Sequence, residues 1–311
     1  MTSITAGVGT KPEDVADRQT KRRRRRNAGG HGDENVAKGG WFARGGLAFI
    51  CFLWIVPTLG ILVTSFREAN DSNTSGWWTF LGSLNKLTFS NYSYAIDNAN
   101  LGNAFINSLA IALPATFIPI LIASFAAYAF TFMRFPGRDF LFLLIVSLLV
   151  IPNYVAFVPI LKIYASIGLA GHFPAVWLAH IGFGMSLAIY ILRNYMATLP
   201  RTIIESAEID GASHFQTFYK LILPMSAPAL ASFAILQFLW VWNDLLVALL
   251  FIGPGDNEPI TVSLTHLLGQ QGSGWSYVTA GGFFSMILPI AVFLGLQRYF
   301  VRGMTAGAVK G

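Results

Sequence analysis

The chain has 311 residues, 54% of them apolar and only 12% charged, with a mean hydropathy of +0.56. Soluble domains carry about 25% charged residues. The composition therefore excludes an ordinary water-soluble enzyme and predicts a chain that threads a bilayer several times. The net charge of +6 is gathered largely in one arm, and a lone cysteine, Cys51, excludes an internal disulfide.

Residues 1–40 are polar and Gly-rich, too poor in large apolar groups to bury a core, and are predicted to be a disordered basic arm. They contain Lys21 and Arg22 to Arg26. Just ahead of an apolar helix, such a run is read as a cytoplasmic anchor against anionic lipid rather than a nucleic-acid site. The first apolar run is too long for a cleaved signal peptide.

Six spans are predicted, at about 45–66, 105–133, 140–163, 173–196, 229–252 and 277–300. The second holds Pro114 and Pro119; the third holds Pro152, Asn153 and Pro159; the fourth holds His180, Gly182 and Gly184. Cys51, in an apolar run with no His or Lys near it, is expected to be buried and inert. The fold class is thus an all-α polytopic membrane protein, with a transmembrane domain over 41–311 and a tail over 301–311.

Charge sets the orientation. Ten of the 21 Lys and Arg lie between Lys11 and Arg44, and eight more fall at 134–138, 193–220 and 298–310. Only Arg67, Lys86 and Lys162 fall on the other side. The bias predicts both termini and the polar segment 202–224 in the cytoplasm.

Catalytic signatures are missing. No G-x-x-x-x-G-K-[ST] phosphate cradle occurs, and the five histidines lack metal-ligand spacing. The chain is therefore expected not to be an enzyme, and to draw energy from an ion gradient or a partner. In the polar segment, Thr202 and Glu205 have capping-box spacing for a short helix. Gly211 can take a positive φ, and Ser213 can cap a second helix ending near Pro224. Ser206, Ala207 and Ala212 give this knob a small-residue face beside Glu205, Glu208 and Asp210. Such a face suits docking into a groove and pairing with an arginine.

The knob resembles the EAA signature of type I ABC-importer permeases, E-A-A-x₃-G-x₉-I-x-L-P. Here it reads Glu205-Ser206-Ala207, then Gly211, then Leu221-Ile222-Leu223-Pro224. The tail Leu296-Gln297-Arg298-Tyr299-Phe300-Val301-Arg302-Gly303 through Gly311 is similar to that of the second permease subunit of maltose-type importers, and residues 227–250 resemble α-glucoside permeases. The resemblance implies the six-helix permease fold of a bacterial cytoplasmic-membrane importer. Residues Glu205, Ser206, Ala207, Asp210, Gly211, Leu223 and Pro224 would form a coupling helix seated in a cytoplasmic ATPase dimer, with the tail near the dimer interface. The chain would bind no cofactor itself, ATP and Mg belonging to the partner. Other implied partners are a second homologous permease and an extracytoplasmic sugar-binding protein, with lipid around them and no nucleic acid. The basic arm is not part of the family pattern.

Polar groups inside spans are costly and mark candidate pathways. Gln237, Trp240 and Asp244 fall on one helical stripe. Amide and carboxylate acceptors beside an aromatic face suit a sugar, and Asn153 and His180 are candidates for the same cavity; bonding between helices is the alternative. The outward loop near 253–275 carries Asp256 and Glu258. Alternatives to an ATP-driven sugar importer are an ion-coupled secondary transporter with Asp244 as its ion site, a membrane scaffold, and an importer of a polyol or glycerol phosphate.

Overall fold

The structure, a computed structural model, describes residues 40–82, 84–268 and 274–308. Most of the predicted basic arm (1–39) and the end of the predicted tail (309–311) lie outside the described residues. Among the described residues all regular structure is helical, apart from one isolated bridge between Arg67 and Leu87.

The principal helices are α1 (Trp41–Phe66), α2 (Ser90–Asn98), α3 (Leu101–Phe132), α4 (Arg138–Ser147), α5 (Tyr154–Ser166), α6 (Phe173–Met196), α7 (Arg201–Ile209), α8 (His214–Thr217), α9 (Ala227–Trp242), α10 (Leu246–Phe251), α11 (Ile260–Ser263) and α12 (Trp275–Ala308). Four are long and apolar enough to cross a membrane: α1, α3, α6 and the Trp275–Arg298 stretch of α12. Two bent pairs, Arg138–Val150 with Tyr154–Ser166 (100°) and His214–Met225 with Ala227–Trp242 (71°), bring the spans to six if each pair is one.

The first bend, and a further break after Trp242, interrupt the straight spans expected at 140–163 and 229–252, and each has a local cause; the second bend, at Ser226, falls before 229–252. Pro152 disfavours a helical residue before it, and Ile151 is extended at φ −78° and ψ 121°. The further break lies inside 229–252, where α9 ends at Trp242 and the Asp244 carboxylate accepts the Val247 N–H at 2.6 Å. A side chain that takes up a main-chain donor in this way starts a new helix rather than continuing the old one.

The chain divides at Gly60 into two compact units. In the first, the described part is the start of α1, where Cys51 is exposed rather than buried as expected. Composition could not decide this, because in lipid an apolar side chain gains little by turning from the bilayer toward protein.

In the second unit, α3 packs most extensively on α6, and α9 packs on α3, α6 and α12. The α3–α6 seam is built of small side chains that let the backbones approach: Ala112, Ala115, Ala123 and Ala127 on one side, Ala175, Ala179 and Ala188 on the other, all buried. One apolar cluster lies around Leu101, Val176, Val241 and Phe251, and a second around Leu192, Met196, Phe218 and Phe233. At the Leu101 end of α3, Asn107 donates to the carbonyls of Asp256 (2.9 Å) and Glu258 (3.0 Å), and Ser108 accepts the Ile260 N–H at 2.8 Å. These bonds pin the 253–260 loop to the helix bundle. Arg67, only 5% exposed, gathers the segment after α1 by donating to the carbonyls of Asp71 (2.9 Å) and Ser75 (3.0 Å).

Candidate functional site

The 201–225 segment lies at the opposite end of α6 from the 253–260 loop. Pro200, at φ −62° and ψ 125°, leads directly into α7. The helix therefore opens before Thr202 and has no side-chain cap. Thr202 lies inside the first turn, where its carbonyl accepts from Ser206 Oγ at 2.8 Å, so Thr202 and Glu205 form no capping box.

The end of α7 is closed by its backbone. Gly211, at φ +74°, donates to the Glu208 carbonyl at 3.1 Å, and Ala212 donates to the Ala207 carbonyl at 2.9 Å. This is a Schellman closure, which needs a left-handed residue where Gly211 stands. Two residues later Ser213 accepts the Gln216 N–H (3.3 Å) while Gln216 Oε1 accepts the Ser213 N–H (2.9 Å), a full capping box. A C-cap and an N-cap thus meet across Gly211-Ala212-Ser213 and make a stiff corner. Ser213→Ala is expected to cost about 1 kcal/mol locally, read as faster amide exchange at residues 214–217.

After Thr217 the helix widens into one π turn, Phe218–Ile222, before Pro224. Proline brings no N–H and crowds the preceding turn, and a wide turn relieves that crowding. Ile204, Ala207, Thr217, Phe218 and Ile222 are buried. Phe218 stacks on Phe125 at 4.5 Å, and Tyr128 Oη lies 3.2 Å from His214 Nδ1, so the corner is fastened to α3.

The opposite surface is free among the described residues: Glu205, Ser206, Glu208, Asp210 and Gly211 are exposed. Ile209 is 86% exposed, Phe215 65% and Tyr219 63%, and the Phe215 and Tyr219 rings lie parallel 6.4 Å apart. Sequence reading missed these three side chains, although the i, i+4 spacing of Phe215 and Tyr219 carries the signal. Two clefts flank α7. One, of about 580 Å³, sets Glu205 and Glu208 near Arg134, Arg138 and Arg201; the other, of about 620 Å³, is lined by Ser206, Ala207, Asp210, Gly211 and Lys220. Ala207 also packs inward at 6% exposure, whereas Leu223 is half-buried and Pro224 exposed.

The structure brings together three of the intramembrane candidates. Gln237, 2% exposed, donates to the carbonyls of Ala115 (3.2 Å) and His180 (3.3 Å). The His180 ring, 1% exposed, meets Trp240 edge-on at 5.7 Å, and its Nδ1 has no protein partner. Gly184 makes the approach of α9 to α6 feasible, since a Cβ there would lie 2.6 Å from Gln237 Oε1. Asp244 stands apart as the cap of the break before α10, and its carbonyl accepts from Thr261 Oγ1 at 2.9 Å. Asn153 sits at the 100° bend, heading α5. Among the described residues no cluster of His, Cys, Asp or Glu has the geometry to hold a metal ion.

Small-residue helix seams, broken spans and an exposed, stiffly capped corner at one end define a polytopic helical membrane protein of the transport-permease class. Residues 119–306 match the family of binding-protein-dependent transport system inner membrane components. The chain belongs to that family, and is thus an inner-membrane transport subunit. It is 53% identical, over 84% of its length and 89% of the relative's, to the osmoprotective compounds uptake permease protein GgtD of Synechocystis. Over 73% of its length it is also 53% identical to the alpha-glucoside transport system permease protein AglG of Rhizobium meliloti, of which the match spans 61%. The fold is that of a subunit in the crystal structure of a bacterial ABC transporter involved in import of the acidic polysaccharide alginate (TM-score 0.70, 20% identity, covering 82% of this chain and 93% of that one).

Proposed function

We propose that this chain is a permease subunit of an ATP-driven, binding-protein-dependent importer of an α-glucoside or other di- or oligosaccharide. The observation that carries the reading is the exposed corner built from Glu205 to Gly211, with a Schellman closure on one side and a capping box on the other. A corner closed at both ends moves as one body, which suits a contact through which a partner pushes. Glu205, Ser206, Ala207, Asp210, Gly211, Leu223 and Pro224 form the contact with a cytoplasmic ATPase dimer, which binds ATP and Mg and hydrolyses the nucleotide. This subunit does not hydrolyse ATP itself.

A second homologous permease completes the pathway, and an extracytoplasmic sugar-binding protein delivers the cargo at the end carrying the 253–260 loop. Both termini lie in the cytoplasm. His180 and Trp240 form one group along the pathway, backed by Gln237, whose amide is held by the α3 and α6 backbones; Asp244 and Asn153 belong to the helix breaks. That placement of Asp244 gives no support to an ion-coupled mechanism.

The test is co-expression with a candidate second permease, ATPase and binding protein, followed by purification through a tag on this chain. Co-purification of the ATPase, with hydrolysis stimulated by binding protein plus sucrose, maltose or trehalose, is the expected result. Uptake that survives ATP depletion and collapses with an ionophore would overturn it. The identity to the osmoprotective-compound permease favours one variant reading, an osmoprotective compound as cargo, which stimulation by such compounds but not by the disaccharides would establish.

A further inference from the structure

Three helix-interior prolines, Pro114 and Pro119 in α3 and Pro289 in α12, each lack the N–H that would bond the carbonyl four residues earlier. The freed carbonyls are those of Ala110, Ala115 and Ser285. Each is met by a side-chain N–H from another helix: Trp177 Nε1 of α6 donates to Ala110 at 2.9 Å, Gln237 Nε2 of α9 to Ala115 at 3.2 Å, and Trp242 Nε1 of α9 to Ser285 at 3.1 Å. Pro57 and Pro159, by contrast, sit on exposed faces. In a medium without water a freed carbonyl has to find a donor inside the protein, and these three donors supply it across helix interfaces.

Two of the three donors stand on α9, which begins at Ala227, directly after the exposed corner and its π turn. We infer that Gln237 and Trp242 are positioning residues that carry displacement of the 201–225 corner into α3 and α12. The reasoning is mechanical. At a proline the helix bends without breaking an internal hydrogen bond, so a tie placed on the freed carbonyl pulls where the helix yields most easily. Gln237 engages α6 as well, through the His180 carbonyl, so one amide links three helices at one level. This inference rests on the coupling role given to the corner above.

The test uses the complete transporter in liposomes with its binding protein, reading sugar taken up per ATP hydrolysed. Gln237→Met and Trp242→Phe are expected to lower that ratio several-fold while hydrolysis continues. Pro119→Ala restores a main-chain donor for Ala115, so Gln237→Met should cost little further when added to Pro119→Ala. That double variant also serves if Gln237→Met alone fails to assemble. Hydrolysis and uptake falling together in proportion to assembled complex, or additive losses in the double variant, would overturn the inference. Glu205→Ala is run in parallel. An unchanged ratio there removes the coupling role and this inference with it; a lowered ratio there beside a normal one in Gln237→Met removes this inference alone.

Discussion

Gly211→Pro is expected to lower sugar uptake about tenfold or more while the protein still reaches the membrane and assembles. Gly211 stands at φ +74° and donates to the Glu208 carbonyl at 3.1 Å. Proline holds φ near −65° and has no N–H, so it can satisfy neither demand, at a cost of about 3 kcal/mol or more. The Schellman closure opens, and the corner loses its fixed angle to α8. The damage should stay local, because nothing lies within 4 Å of where a Cβ at Gly211 would stand and the buried residues of the corner lie elsewhere. A tenfold loss corresponds to about 1.4 kcal/mol of coupling, within the usual range for linked sites. Glu205→Ala removes a carboxylate and leaves the backbone untouched. It should therefore reproduce the uptake defect without the conformational one. Membrane content by immunoblot, ATPase retained on purification, and uptake per ATP separate the two. Undiminished uptake in both variants would remove the coupling role of the corner.

The sequence carried the corner more clearly than the membrane interior, for a physical reason. Gly211, Ser213 and Pro224 act on the backbone within a few residues of themselves, so their spacing is legible in one dimension. The same holds for Pro152, whose effect on Ile151 was readable, although the size of the bend was not. Gln237 is the contrary case. It lies on one stripe with Trp240 and Asp244, which reads equally as a polar face toward a cargo or as a tie between helices. Its partner is a carbonyl 122 residues away, free only because Pro119 cannot donate to it. Neither local period nor composition encodes that pairing. Asp244 differs again: its carboxylate serves the N–H three residues ahead, a local signal present in the sequence but hidden by reading 229–252 as one continuous span. The exposed Cys51 shows the same limit, since apolar residues facing lipid and apolar residues facing protein are spelled alike.

Gly184 and Gly182 should give opposite results, although they sit two residues apart on α6. A Cβ at Gly182 meets nothing within 4 Å, whereas one at Gly184 would lie 2.6 Å from Gln237 Oε1 and 2.8 Å from Gln237 Nε2. Gln237 cannot swing aside freely, because its amide is held by the carbonyls of Ala115 and His180 and its side chain is buried. Gly182→Ala is therefore expected to be neutral or slightly stabilising, since alanine is the better helix former by about 1 kcal/mol. Gly184→Ala gains the same propensity but must push the amide off two acceptors. Each hydrogen bond of this kind within a membrane is worth about 0.6 kcal/mol, and overpacking adds about 1–3 kcal/mol. The balance falls on the side of loss. Gly184→Leu, which cannot be absorbed by a small shift, should leave little assembled transporter. Thermal denaturation of the purified complex in detergent checks the series. The expected order is Gly182→Ala at or above the native chain, then Gly184→Ala, then Gly184→Leu. Equal midpoints for the two alanine variants would mean that Gln237 is not held where the two carbonyls place it, and the three-helix link at that level would have to be abandoned.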